Sequence, residues 1–325
     1  MSRKKRIILW ITVILVLCAG ITGLAVYKNN RAADPGSTDP GNLVQDDPGP
    51  AIVDNSKKLV MAIDVPLDAP YGKLAAAYKE NVEEMSGGSL SIDIYENGLL
   101  GTTAELIGSI GDDTNAADIM LVPVQDLADA GCEDTAKLLQ PYAFEGHNEF
   151  LKWFTSKEAD ALLDDPEKSG VGAKGLFFAE DGFSHLFLKE DSSVKDKKIA
   201  GEANEANEAY IGQIGGVYEY LPSIDIKDAL LDGSLDGVER DCSFYKENEL
   251  WDAAPYIVAD SHLASPCEAV IKLGAAEKLT KEEMNILKKA GEKAVKEFTE
   301  TLSQEEKTML KEFEEHGTKT TKLKR

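Results

Sequence analysis

Between Lys58 and Val124 the apolar pattern alternates between strand and helix, and that order constrains the fold more than any other feature. Lys58–Val65 places apolar residues at 59–61, 63 and 65, as a strand does. In Tyr71–Met85, Leu74, Tyr78, Val82 and Met85 recur at spacings of four, four and three, so they share one helical face. Ser86-Gly87-Gly88 ends that helix, because glycine takes a left-handed backbone at little cost. Leu90–Tyr95 alternates apolar and polar residues, like a half-buried strand. Thr102-x-x-Glu105 is a capping-box pattern opening a helix to about Ile110, and Asp118–Val124 is an apolar strand core. Strand, helix, strand, helix, strand predicts an α/β fold with a parallel sheet. The order repeats more loosely from Gly175 to Leu235.

The C-terminal third reads as helical. Thr280-x-x-Glu283 and Ser303-x-x-Glu306 both fit capping boxes, so two helix starts are expected. Met284, Leu287, Gly291, Ala294, Val295 and Phe298 form one stripe; Met309, Leu310 and Phe313 form another. The basic tail after residue 316 is expected to fray.

The N-terminus reads differently. Arg3-Lys4-Lys5-Arg6 is a basic flank, and residues 7–27 are almost wholly apolar. At 1.5 Å per residue that span runs about 30 Å, the depth of a bilayer's hydrocarbon core. A basic flank stays cytoplasmic, so the rest of the chain is expected outside. The span is either a retained transmembrane anchor or a signal peptide cleaved after Ala25. Lipidation at Cys18 is a third option, although Leu17 is large for a lipobox. Residues 28–56, rich in Asp, Pro and Gly, read as a flexible acidic tether. Such a tether suits a Gram-positive-type cell, where no outer membrane retains a soluble protein.

The formal net charge of −23 excludes the basic footprint that nucleic-acid binding needs, and disfavours broad contact with anionic lipid. Cys18, Cys132, Cys242 and Cys267 form no CxxC or Cys/His cluster, so no structural zinc or other metal is expected. Cys242 and Cys267 are either disulfide-linked or buried thiols. His147, His185, His262 and His316 lie far apart in sequence, beside no nucleophile motif, and read as surface or structural residues. No catalytic or cofactor motif stands out. Asp236 and Glu239, three apart, would share a helical face as the carboxylate pair of a cell-surface hydrolase does, but Asp-Gly is turn chemistry and an acidic chain offers many such pairs.

Two stretches carry a family likeness. Ser86-Gly87-Gly88 is followed by a short strand and by Tyr95-Glu96-Asn97-Gly98-Leu99-Leu100-Gly101. Later come Ala229-Leu230, Gly233, Asp236-Gly237 and Glu239. In order and spacing these resemble the substrate-binding subunit of TRAP transporters (tripartite ATP-independent periplasmic transporters, DctP type), over roughly residues 57–316. The resemblance implies two α/β lobes, like a periplasmic binding protein, joined at a hinge and crossed by a long helix. It implies a non-enzymatic extracytoplasmic receptor that captures a small organic solute without a cofactor. It also implies delivery to a TRAP membrane permease that uses an ion gradient. A receptor for a sensor or for another transporter stays open as an alternative.

The family's ligand clamp is an arginine in a GxKxR strand, an asparagine directly after the glutamate, and often a second arginine in a GFR stretch. An arginine fork holds a carboxylate through two parallel hydrogen bonds. This sequence departs at each point. Ala200 stands at the first arginine position, Ser184 follows Gly182-Phe183, and Arg240 follows Glu239. The expected ligand-binding set is therefore Arg240, Glu239, Phe183, Ser184, Ala200 and Tyr210. Phe244, Tyr245 and Trp251 are further aromatic candidates for closing the pocket, with Phe183 and Tyr210 better placed. Either Arg240 holds a monoanion, or the ligand is neutral or cationic.

Overall fold

A computed structural model describes residues 56–324, apart from 113 and 192. The basic flank, the apolar span, Cys18 and nearly all of the tether lie outside the described residues. Among those described, no helix is long and apolar enough to cross a membrane.

The first half follows the sequence order closely. β1 (Lys57–Ala62), α1 (Pro70–Met85), β2 (Leu90–Tyr95), α2 (Thr103–Gly108) and β3 (Ile119–Pro123) alternate as expected. β1 pairs in parallel with β2 and β3. Gly87 and Gly88 take φ of +60° and +80° where α1 stops. The Thr102 box forms in full: its hydroxyl accepts from the Glu105 N–H while the Glu105 carboxylate accepts from the Thr102 N–H. Then come α3 (Val124–Asp129) and α4 (His147–Trp153).

Two long strands follow a different rule. β4 (Ala173–Leu188) and β8 (Tyr256–Lys272) run antiparallel through the middle of the sheet. Between them in sequence lie β5 (Lys198–Ala200), α5 (Glu205–Gln213), β6 (Val217–Glu219), α6 (Ser223–Asp232), β7 (Gly237–Asp241) and α7 (Cys242–Glu247). The strand order is β2-β1-β3-β8-β4-β7-β5-β6. Two parallel wings are thus joined by an antiparallel ribbon. The purely parallel expectation is corrected, because β4 and β8 each belong to both wings. The ribbon breaks register between Glu180 and Phe183 and again between Ser184 and Leu186. Gly182 (φ +110°) and Ser261 (φ +51°) take left-handed backbone at that bend.

Each wing has its own core. In the first lobe Leu59, Tyr78, Ile92, Phe150 and Phe177 pack together. In the second, Phe187, Val238, Tyr245 and Phe313 do so. α8 (Lys281–Glu315) lies across both, with Leu287 and Ala294 in the first core and Phe313 in the second. Its 35 residues run about 50 Å. It opens at the Thr280 capping box but continues through Ser303, so the second expected start is corrected. Ser303 sits in an uninterrupted run of helix formers; its hydroxyl accepts from Lys307 Nζ at 3.1 Å and caps nothing. The tail is pinned as well. β9 (Lys319–Thr320) adds to β8, and Lys324 pairs with Asp191 at 2.7 Å. The disulfide option is excluded: Cys242 and Cys267 are free buried thiols in different cores.

Candidate functional site

Parallel strands end where helices begin, and both wings present such ends toward the ribbon's bend. A cavity of about 270 Å³ lies there. The first lobe contributes Tyr71, from the start of α1, with Pro123 at the end of β3 and Gln125 at the start of α3. Ser184 and Leu263–Pro266 come from the ribbon. The second lobe contributes Glu202, Asn204, Ala206 and Asn207, from the loop after β5 and the first turn of α5. Asn204 caps α5, its side chain accepting from the Asn207 N–H at 2.9 Å. Tyr71 donates its hydroxyl to the Ser265 carbonyl at 2.7 Å, tying α1 to the ribbon. Among the described lining residues the single ionisable carboxylate is Glu202, and none is Lys, Arg or His.

Behind the wall lies a charged network that holds it in place. Asn207, which lines the cavity, donates its amide to the fully buried Glu239. Glu239 lies 3.2 Å from His262 Nε2, and His262 Nδ1 is 2.6 Å from Asp260. Tyr210 stacks on the His262 ring, 3.6 Å away and 4° from parallel. Tyr142 donates to Asp260 at 2.9 Å. Burial disfavours a charged His262, but its hydrogen bonds to the Asp260 and Glu239 carboxylates outweigh it and raise the imidazole pKa. Burial also opposes ionised Asp260, and its bond to His262 wins, lowering that carboxyl pKa.

A second cluster sits where α8 crosses the bend. His147, at the start of α4, is 2.7 Å from Glu180 on β4 and 3.3 Å from Glu306 on α8. His185 lies 3.5 Å from Glu306. Burial works against a charged His147, but its two carboxylate partners raise its pKa to about 9. Burial likewise opposes ionised Glu306, yet the bonds from His147 and His185 hold it down at about 2. Asp181 is pushed up to about 7 by burial and by the charges of Glu180 and Asp241.

The residues singled out from sequence fall into three places. Ser184 lines the cavity. Glu239 and Tyr210 belong to the supporting network one layer behind it. Arg240 is 6 % exposed beside that layer, gives one N–H to the Glu239 carbonyl at 3.1 Å, and lies over the Phe244 ring. Ala200 is a core residue of the second lobe, and Phe183 packs in the first core against His147; neither lines the cavity. Tyr245 stacks on Phe187 and Trp251 on His316, so the aromatic wall is Tyr71 instead. Asp236 and Glu239 are not brought together as a pair. Asp236 accepts from the Lys198 N–H at the surface, while Glu239 is committed to Asn207 and His262 inside.

The histidine network was not legible because its partners are remote in sequence. Glu239 is 23 residues from His262, and Glu306 is 159 from His147. Glu202, Asn204 and Asn207 stand in none of the sequence motifs described above.

Residues 61–325 match the model of a protein family described as bacterial extracellular solute-binding protein, family 7 (DctP). The chain belongs to that family. The C4-dicarboxylate-binding periplasmic protein DctP of Rhodobacter capsulatus is 23% identical over 177 residues, covering 53% of this chain. The match spans about half of that relative (52%). A solute-binding protein of Chromohalobacter salexigens is 22% identical over 71% of this chain and 69% of its own. Among solved structures, a TRAP periplasmic solute-binding protein of Ochrobactrum anthropi superposes with a TM-score of 0.73 at 19% identity, covering 83% of this chain and 84% of that one. Another, from Xanthobacter autotrophicus with bound β-D-galacturonate, gives 0.61 at 20% identity, covering 82% and 89%. These likenesses establish the fold of this family 7 protein: two α/β lobes joined by crossing strands and a long helix.

Proposed function

We propose that this family 7 protein is an extracytoplasmic solute receptor. It captures a small organic solute between its lobes and delivers it to a TRAP-type permease in the membrane. One observation carries the reading: the cavity is walled by both lobes at the ends of their parallel strands, and three crossing elements join those lobes there. A solute touching both walls binds the closed arrangement better than the open one and so favours it. The permease would then read the closed form. Residues 7–27 would hold the receptor at the outer membrane face as a retained anchor, or direct its secretion if cleaved.

Ser184 and Asn207 would contact the solute directly, with Glu239 positioning Asn207. Arg240 would supply the positive charge that a carboxylate requires. The guanidinium has five N–H donors, one of which goes to a backbone carbonyl, and it makes no ion pair with any described residue. A thermal-shift screen of organic acids, sugar acids, amino acids and osmolytes tests the reading. A cognate solute at about 100 times its Kd should stabilise the fold by about 2.7 kcal/mol. The absence of any response across such a panel would count against a receptor.

A further inference from the structure

We infer that the solute is a zwitterion, its cationic end held by Glu202 and its carboxylate directed to Arg240. The inference rests on the receptor reading and names the ligand class of that same cavity. The carrying observation is two opposite charges, Glu202 on the cavity wall and Arg240 in the layer behind it, that do not pair with each other. Glu202 stands on the wall. Its backbone carbonyl accepts from the Tyr218 hydroxyl, but its carboxylate takes no hydrogen bond or ion pair from a described residue. Arg240 is buried behind that wall, near enough for its charge to act on Glu202, and its remaining nitrogens are not among the sealed, unpartnered ones of the described residues.

The rest of the lining is consistent with a cation at the Glu202 end. Asn207 gives one amide N–H to Glu239, and its carbonyl oxygen accepts from no described residue, so it remains free to accept from a cation. Glu239 and Asp241 add negative charge behind the same wall. Burial, then those two charges, raise the Glu202 pKa while Arg240 opposes them. A cation bound there relieves that strain.

Comparing ligand classes makes the choice. Closing the lobes removes water from Glu202 and Arg240 together, and an ion buried without a partner is costly. A neutral sugar leaves both charges uncompensated. A dicarboxylate satisfies Arg240 but sets a second negative charge against Glu202 and the acids behind it. A simple cation satisfies Glu202 alone. A zwitterion satisfies both, and a cavity of about 270 Å³ restricts it to a small molecule.

The test uses matched probes that differ only in the ammonium group. Full-length protein in detergent is titrated calorimetrically with 3-aminopropanoate, 4-aminobutanoate, 5-aminopentanoate and trimethylglycine. The matched anions are propanoate, butanoate, pentanoate and succinate, with D-glucuronate as a sugar acid and choline as a bare cation. At least one zwitterion should bind ten times or more tighter than its matched anion. Glu202→Gln should abolish that preference, weakening the zwitterion at least tenfold while the matched anion binds no more weakly than to wild type. Tighter binding of succinate or D-glucuronate, or a zwitterion affinity unmoved by Glu202→Gln, overturns the inference and leaves the receptor reading standing. No binding by any probe overturns both.

Discussion

Removing His147 tests how the bend is held. The imidazole joins α4 of the first lobe to β4 and to the middle of α8, through Glu180 and Glu306. Raising its pKa from 6.5 to about 9 corresponds to about 3 kcal/mol, at 1.36 kcal/mol per tenfold. The depressed Glu306 pKa reports the same contacts from the other side, so the two figures are not added. His147→Gln should therefore cost about 3 kcal/mol near pH 6, or about 6–12 °C in Tm for a body of this size. The sign with pH follows from linkage. A raised histidine pKa stabilises fully below the unfolded value of 6.5, and that stability is lost as pH climbs through about 9. The depressed Glu306 pKa stabilises above 4.5, and that contribution is lost as pH falls toward 2. The gap between wild type and variant should be widest between about pH 4.5 and 6.5 and should close above about pH 9. Asp181, raised from 3.8 to about 7 in the same cluster, adds a pH dependence at least as large, but one common to both proteins, so it cancels in the gap. Differential scanning calorimetry from pH 5 to 10 measures the gap. A gap that stays constant with pH would show that His147 acts by packing alone, and the charge argument would fail.

Other positions give separate tests. Glu268 is fully buried, neither carboxylate oxygen has a hydrogen-bond partner, and burial followed by the charge of Asp165 raises its pKa well above the usual range. A raised carboxyl pKa favours the fold below the unfolded value and costs stability as pH rises through the folded one. Glu268→Gln should thus gain on wild type by about 1.4 kcal/mol per pH unit above about 4.5 until the folded pKa is reached; chemical denaturation at pH 5 and 7 checks this. Gly291 on α8 lies so close to β4 that a Cβ would come within 2.0 Å of the Phe177 ring. Alanine gains about 1 kcal/mol of helix propensity there, but overpacking costs about 1–3 kcal/mol, and the clash should leave Gly291→Ala less stable in urea. Arg240→Ala should weaken a carboxylate-bearing solute by about 2–5 kcal/mol in calorimetry, and an unchanged affinity would place the clamp elsewhere.

The first lobe could be read from sequence because its rules are local. The α1 stripe, the glycines after it and the Thr102 box are each decided within a few residues. The ribbon could not be read that way. β4 is buried on both faces and changes core after Phe183, so it shows no alternation, and its partner β8 begins well beyond β7. α8 was divided at Ser303 because a capping pattern also occurs inside a helix whose apolar stripe continues. The site was legible only through the family likeness, which found Ser184 on the wall and Glu239 and Tyr210 just behind it. Ala200, where the family has an arginine, and Phe183 are both apolar and packed into the cores. Glu202 and Asn207 reach the cavity through the loop after β5, and nothing local in the sequence marks that loop as a wall.

The central claim is that one small solute occupies the cavity between the lobes. Native mass spectrometry of the full-length chain with a solute found by thermal shift, beside Ala206→Trp, tests it most directly, because Ala206 lines that cavity. The account predicts one solute mass per wild-type chain and none on a folded Ala206→Trp variant. Equal occupancy of both proteins would contradict it.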